Sequence, residues 1–248
     1  MKTGIIIQAR TGSTRLPNKV TLPFYKNKGI LELIVERIKE SSNLPIVIAT
    51  TTNPLDNKIF KLAAKKNISC YRGSENNVLD RFIKAAEKFN LSNIIRVCSD
   101  NPFIDIEDIN VLSNENNFFD YSCFCINNSP SIISHLGFWA EKVSLKALKK
   151  IKNKTRKQFY LEHVTNYIYN NPENFKINKL EIENQFKVNN VRLTLDTIED
   201  FKIQKKIFSS LLEKNNGYKF NKYDVLNYLN SNPIYFDKMI QNISTNEK

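Results

Sequence analysis

A chain of 248 residues with 41% hydrophobic and 25% charged residues has the balance of a folded globular protein and is long enough to close a sizeable core. No apolar run reaches the roughly 20 residues needed to cross a bilayer, and no secretory segment precedes the first strand pattern, so a cytoplasmic protein without a membrane partner is expected. The formal charge of +12 is scattered among asparagines, densest at Lys149-Lys150 and Lys205-Lys206, a pattern of solvated helix faces and an anionic small substrate that does not lead us to expect nucleic acid as a partner. The cysteines, Cys70, Cys98, Cys123 and Cys125, form no metal-binding CxxC pair and read as ordinary thiols.

In chain order, Ile5-Ile6-Ile7 is a continuous apolar run of the kind buried on both faces of a parallel sheet. Leu31 to Glu40 carries Leu31, Ile34, Val35 and Ile38 at helical spacing, and Ile46-Val47-Ile48 follows as a second strand, which makes a βαβ unit. Asn53-Pro54 predicts a capped helix start with Ile59, Leu62 and Ala63 on its apolar face. A short strand near Ser69 to Tyr71 leads into the polar stretch Arg72 to Asn77 and a helix bearing Val78, Phe82, Ala85 and Phe89. Asn93 to Cys98 is another buried strand, ending in Ser99-Asp100-Asn101-Pro102. The alternation predicts an α/β fold: a doubly wound, mostly parallel, Rossmann-like sheet whose loops after the first and Asn93–Cys98 strands share the carboxyl edge.

Farther on, Tyr121 to Ile126 reads as a strand, Ser131 to Ala140 is ambiguous, and Ser144 to Ile151 and Lys157 to Tyr169 read as helices. Phe175 to Ile182 alternates weakly, and Val191 to Leu195 reads as a strand running into Asp196. Thr197 with Asp200 three residues later marks a capping-box start for a helix to about Glu213. Asn221 to Leu229 is a last helix, and the polar tail after Ile240 is expected to fray. Without a linker or an internal repeat, the whole of 1–248 reads as a single domain, with 131–170 as an irregular insertion.

The segment Gln8-Ala9-Arg10-Thr11-Gly12-Ser13-Thr14-Arg15-Leu16-Pro17-Asn18-Lys19 follows the first strand directly. Gly12 permits close backbone approach, Ser13 and Thr14 offer hydroxyls, and Arg10, Arg15 and Lys19 can neutralise a triphosphate. It is neither a Walker A loop nor a GxGxxG fingerprint. Asp100 and Asp196 each stand at the end of a predicted strand, where two carboxylates on one sheet edge can share a magnesium ion with substrate phosphates.

These motifs together resemble the cytidylyltransferases of the spore-coat polysaccharide type, relatives of the enzymes that activate 3-deoxy-manno-octulosonate and acylneuraminate with CTP. The similarity continues through Arg72-Gly73-Ser74-Glu75, Asn77 to Phe82, Arg96 to Pro102, Glu162-His163-Val164-Thr165 and Leu195 to Asp200. The resemblance implies a nucleotide-diphospho-sugar transferase type of fold and transfer of CMP from CTP to a sugar or sugar-acid acceptor. It implies nucleotide-binding roles for Gln8, Ala9, Arg10, Gly12, Ser13, Thr14, Arg15 and Lys19, and a place near the base for Ser74 and Arg81. It further implies Mg2+ on Asp100 and Asp196, with Arg15, Lys19 and the two aspartates as the catalytic set. CTP and a small sugar-like acceptor are the implied partners of a homodimer, whose contact or acceptor side falls in 131–170.

Trp139 in Gly137-Phe138-Trp139-Ala140-Glu141 replaces an aspartate common in the family, which marks Trp139 and Glu141 as acceptor-side candidates, and the match of Glu162-His163-Val164-Thr165 to the family motif adds His163. Leu161 stands where an arginine commonly precedes Glu162-His163. A sugar-1-phosphate nucleotidyltransferase using another base and a non-catalytic nucleotide-binding module are the competing readings.

Overall fold

In the computed structural model, which describes residues 2–215 and 217–245, the opening strand β1 (Thr3–Gln8) runs through the middle of an eight-stranded sheet. The chain then alternates through α1 (Ile30–Ser41), β2 (Ile46–Thr51), α2 (Asn57–Lys65), β3 (Ser69–Gly73), α3 (Val78–Lys88) and β4 (Asn93–Cys98). These four strands are parallel in the order β3-β2-β1-β4, with Ile5 opposite Ile46 on one side and Ile95 on the other.

Side chains of a strand alternate between faces. Ile5 and Ile7 pack with Leu31, Ile34 and Ile38 of α1, while Ile6 packs with Leu79, Phe82 and Ile83 of α3. Both faces are covered, so each of the three isoleucines is withdrawn from water, a gain of about 1.5–3 kcal/mol apiece. The expected cap holds: the Asn53 side chain accepts from the Leu55 amide and opens a 3-10 turn at Pro54–Asp56 that leads into α2.

Beyond β4 come α4 (Ile106–Asn114), β5 (Tyr121–Ile126), β6 (Ser129–Pro130) and β7 (Glu141–Ser144). β7 lies between β4 and β5, antiparallel to both, and β6 pairs with the end of β5. The chain continues through α5 (Leu145–Lys154), α6 (Gln158–Glu162), α7 (Asn166–Asn170) and β8 (Ile177–Glu181), the last parallel to β5. It closes with α8 (Ile198–Lys214), α9 (Lys222–Asn230) and α10 (Ile234–Thr245). The result is a doubly wound, mostly parallel sheet with an irregular insertion.

Three local expectations are corrected. Val191 to Leu195 is not a strand: the amides of Leu193 and Thr194 both donate to the His135 carbonyl, and that of Leu195 donates to Asp100 at 2.9 Å. The segment is extended and buried, but one carbonyl in an irregular stretch cannot supply a ladder. Gly137 makes this contact close, since it has φ +68° and a side-chain carbon there would stand 2.9 Å from the Leu193 oxygen.

Lys157 to Tyr169 is two short helices, because Val164 adopts φ +36° and the Thr165 hydroxyl is anchored on Glu141 at 2.8 Å. After Ile240, where fraying was expected, α10 continues to Thr245. It docks through the buried Met239, whose sulfur accepts from the Arg192 amide at 3.4 Å. The remainder of that tail, 246–248, lies outside the described residues.

Candidate active site

The phosphate-type loop begins where β1 ends, and a buried carboxylate shapes it. Asp56 Oδ1 accepts from both the amide and the hydroxyl of Thr11 at 2.7 Å, while Thr51 donates to Oδ2. Burial opposes the Asp56 charge, yet these bonds outweigh it and hold its pKa below the ordinary value. The Asn18 amide donates to the Thr11 carbonyl, and Asn18 itself sits at φ +64°, so the loop folds back and delivers Lys19 to the sheet edge.

Lys19 Nζ then meets both predicted acids, with Asp100 Oδ2 at 2.9 Å, Asp196 Oδ1 at 3.1 Å and the Leu195 carbonyl at 2.6 Å. Burial works against the ammonium, but the two carboxylates prevail and raise its pKa above the ordinary lysine value. Arg15 reaches Asp196 Oδ1 at 3.1 Å from the half-exposed side.

Asp196 is fixed from behind. The fully buried Arg192 donates to Asp196 Oδ2 and to Asp200 Oδ1, each at 3.0 Å. Asp200 Oδ2 accepts from the amides of Asp196 and Thr197 at 3.0 Å. Burial alone would raise the pKa of Asp200, but Arg192 and these amides lower it. The capping box seen in the sequence thus opens helix α8 and orients Asp196, the acid four residues before Asp200.

A single cleft of about 370 Å³ gathers Gln8, Ala9, Arg10, Ser13, Thr14, Arg15 and Lys19 from the first loop. Arg81, Asp100, His163 and Asp196 face the same space. Gly12 and Ser74 do not line it. Gly12 lies beside Glu75, and the Ser74 carbonyl accepts from Arg81. Burial, with Arg10 nearby, pushes the Arg81 guanidinium down to about 10.

Trp139 and Glu141 do not reach the cleft, which corrects their acceptor-side assignment. Trp139 is 2% exposed, with its ring against Phe124, Phe138 and Phe186. Glu141 is wholly buried opposite Arg96 in the β4–β7 register, and accepts from Arg96, Tyr121 and Thr165.

Residues outside the predicted set also matter. Arg96, Ser99 and Glu162 line the cleft, and Asp56, Arg192 and Asp200 hold its walls. Arg96 was readable as a cation inside an apolar strand, which demands a buried partner. Asp56 carried no local signal, because its partner Thr11 is 45 residues away. Among the described residues no group of three or more His, Cys, Asp or Glu is placed to hold a metal ion, so an ion on Asp100 and Asp196 would depend on substrate oxygens too.

This arrangement, cations and two acids at the carboxyl edge of a nucleotide-type sheet, coincides with a family match. The cytidylyltransferase family model matches residues 4–236. The chain belongs to the cytidylyltransferase family.

Members are nucleotidyltransferases, and this enzyme is of that class. It is 35% identical over 236 residues to the spore coat polysaccharide biosynthesis protein SpsF of Bacillus subtilis, covering 92% of this chain and 94% of that one. A cytidylyltransferase of Leptospira borgpetersenii superposes with a TM-score of 0.83 at 32% identity, covering 98% of each chain. The 3-deoxy-manno-octulosonate cytidylyltransferase of Francisella tularensis subsp. novicida is 31% identical over 108 residues, 42% of each chain.

Proposed function

We propose that this cytidylyltransferase transfers CMP from CTP to a hydroxyl of a small sugar or sugar-acid acceptor, for surface polysaccharide or glycoconjugate synthesis. The observation that carries this reading is the meeting of Lys19 with both Asp100 and Asp196, with Arg15 of the same loop on Asp196. The acceptor oxygen attacks the α-phosphorus, the new P–O bond forms as the bond to the β-phosphate oxygen breaks, pyrophosphate leaves with the electron pair, and the hydroxyl proton passes to solvent. No covalent enzyme intermediate is needed.

The chain's own part is positioning and charge. Arg10, Arg15 and Lys19, with the hydroxyls of Ser13 and Thr14, hold the triphosphate, while Arg81 lies toward the nucleotide from α3. Two carboxylates converging on one ammonium are a donor set of hard oxygens that fits Mg2+, and Asp100 and Asp196 are the residues that would hold it. When bound, Mg2+ would neutralise charge developing on the phosphates. Arg192 and Asp200 keep Asp196 aimed at this point throughout.

The same reading includes a homodimer acting in the cytoplasm, with 131–170 beside the acceptor or at the dimer contact. Exposed Ile133 and Phe159 in that stretch support a contact there, and sedimentation of the full chain tests it. Among the described residues no helix is long and apolar enough to cross a membrane. The central test is pyrophosphate release with Mg2+ and CTP, against ATP, GTP and UTP, over a panel of ulosonic acids, amino sugars and sugar phosphates. Release with CTP and one acceptor is expected, and no metal-dependent release with any nucleotide would overturn the proposal.

A further inference from the structure

Helix α10 touches the pair of residues that aims Asp196. Met239 is 1% exposed, and its sulfur accepts the Arg192 amide at 3.4 Å. Asn242 Nδ2 donates to Asp200 Oδ1 at 3.1 Å, the same oxygen that accepts from Arg192 Nε at 3.0 Å. Residues three apart share a helix face, so one side of α10 grips both members of the Arg192–Asp200 pair. The apolar part of this dock is small, since Ile234 and Ile240 are exposed and Tyr235 and Phe236 are only partly buried. The bonds to Arg192 and Asp200 are therefore a large part of what fixes α10, and the same bonds let α10 fix that pair.

Two routes lead from the pair into the cleft. Arg192 Nη2 donates to Asp196 Oδ2, and Asp200 Oδ2 accepts the Asp196 amide, each at 3.0 Å. The side chain and the main chain of this acid are thus both set by groups that α10 holds. The family model matches residues 4–236, so Met239 and Asn242 both lie beyond the matched span.

Resting on the transfer reading above, we propose that Met239 and Asn242 of α10 are positioning residues for Asp196, keeping its carboxylate aimed at the metal and the triphosphate through Arg192 and Asp200. Without the Asn242 donor, Asp200 Oδ1 keeps only the Arg192 guanidinium among the described residues. That guanidinium is shared with Asp196, so any turn it makes with Asp200 is passed to the acid in the cleft. Groups that orient a metal-holding carboxylate from behind contribute about ten- to hundred-fold in metal affinity.

The test is calorimetry on the full-length protein, with CTP titrated once in EDTA and once in Mg2+. Binding in EDTA reads the cationic loop, and the gain on adding Mg2+ reads the acids. Asn242→Leu keeps the size of the side chain without its donor. It is expected to bind CTP in EDTA as the parent does and to lose most of the Mg2+ gain, about ten-fold in affinity. Should that variant melt below the titration temperature, Met239→Leu, which keeps the buried volume and removes the sulfur acceptor, takes its place with the same expectation. A Mg2+ gain equal to the parent's overturns the inference, and so does equal weakening in both titrations, which a merely structural role would give. A parent that binds CTP equally with and without Mg2+ overturns the metal role of Asp196 and this inference with it. A parent that does not bind CTP at all overturns the transfer reading itself.

Discussion

The carboxylate of Asp200 accepts the backbone N–H of Asp196 at 3.0 Å, so a residue that caps a helix also sets the direction of an acid in the cleft. Arg192 ties the two together, bonded to both side chains and wholly buried. Replacing Asp200 by Asn keeps the shape and removes the charge that Arg192 was buried against. We expect a loss of about 3–5 kcal/mol in denaturant unfolding, the scale of a broken buried pair. Turnover at saturating substrate should fall with it, and a stability within error of the parent's would refute this role.

Acid should act through the same groups. The folded pKa values of Asp200 and Asp56 are both lowered from the ordinary 3.8. Stabilisation from a depressed carboxylate is complete above its unfolded value and lost as pH falls through the folded one. Unfolding free energy should therefore be level in this respect above about pH 5 and decline below about pH 4. In Asp200→Asn that decline should be shallower, which urea titrations at stepped pH will read.

Asp100→Asn removes one of the two acids facing Lys19 while leaving Asp196 in contact with it. The expected effect is a fall in turnover of about 10²–10³-fold, typical for losing a preorganised electrostatic contact. Unfolding should move by no more than about 1 kcal/mol, since Asp100 is partly exposed. A variant that releases pyrophosphate at the parental rate rules out the part given to Asp100.

Arg15→Ala strips a half-exposed guanidinium from the loop. Charge-assisted bonds to phosphate contribute roughly 1.5–3 kcal/mol, so the KM for CTP should rise about ten-fold or more with little change in melting temperature. Unaltered nucleotide affinity by calorimetry counts against the loop as a triphosphate cradle.

Trp139→Phe tests a correction. Its ring belongs to the aromatic cluster with Phe124 and Phe186, so the smaller ring should cost about 1–3 kcal/mol of stability through the void it leaves. The KM for the acceptor should not change. A selective shift in that KM without loss of stability would return Trp139 to the acceptor pocket.

How far the chain could be read before its structure was seen depended on how local each determinant was. Ile5-Ile6-Ile7, the Asn53 cap and the Thr197–Asp200 box are decided by neighbours a few residues away, and all three stand as read. The Val191–Leu195 segment has the composition of a strand, but its amides go to the carbonyls of His135 and Asp100 and to the Met239 sulfur instead of to a neighbouring strand, so its pattern was misleading while its destination was right. Glu141 and Trp139 were misassigned because two positions so close together at the entry to β7 gave no sign that Arg96 would claim one and an aromatic cluster the other. The roles of Asp56 and Glu162 were hidden by distance along the chain, 45 residues to Thr11 and 152 to Arg10.

The amide of Leu195 is hydrogen-bonded to the carbonyl of Asp100 itself. One main-chain link thus yokes the two acids, and a displacement of the end of β4 would carry both together.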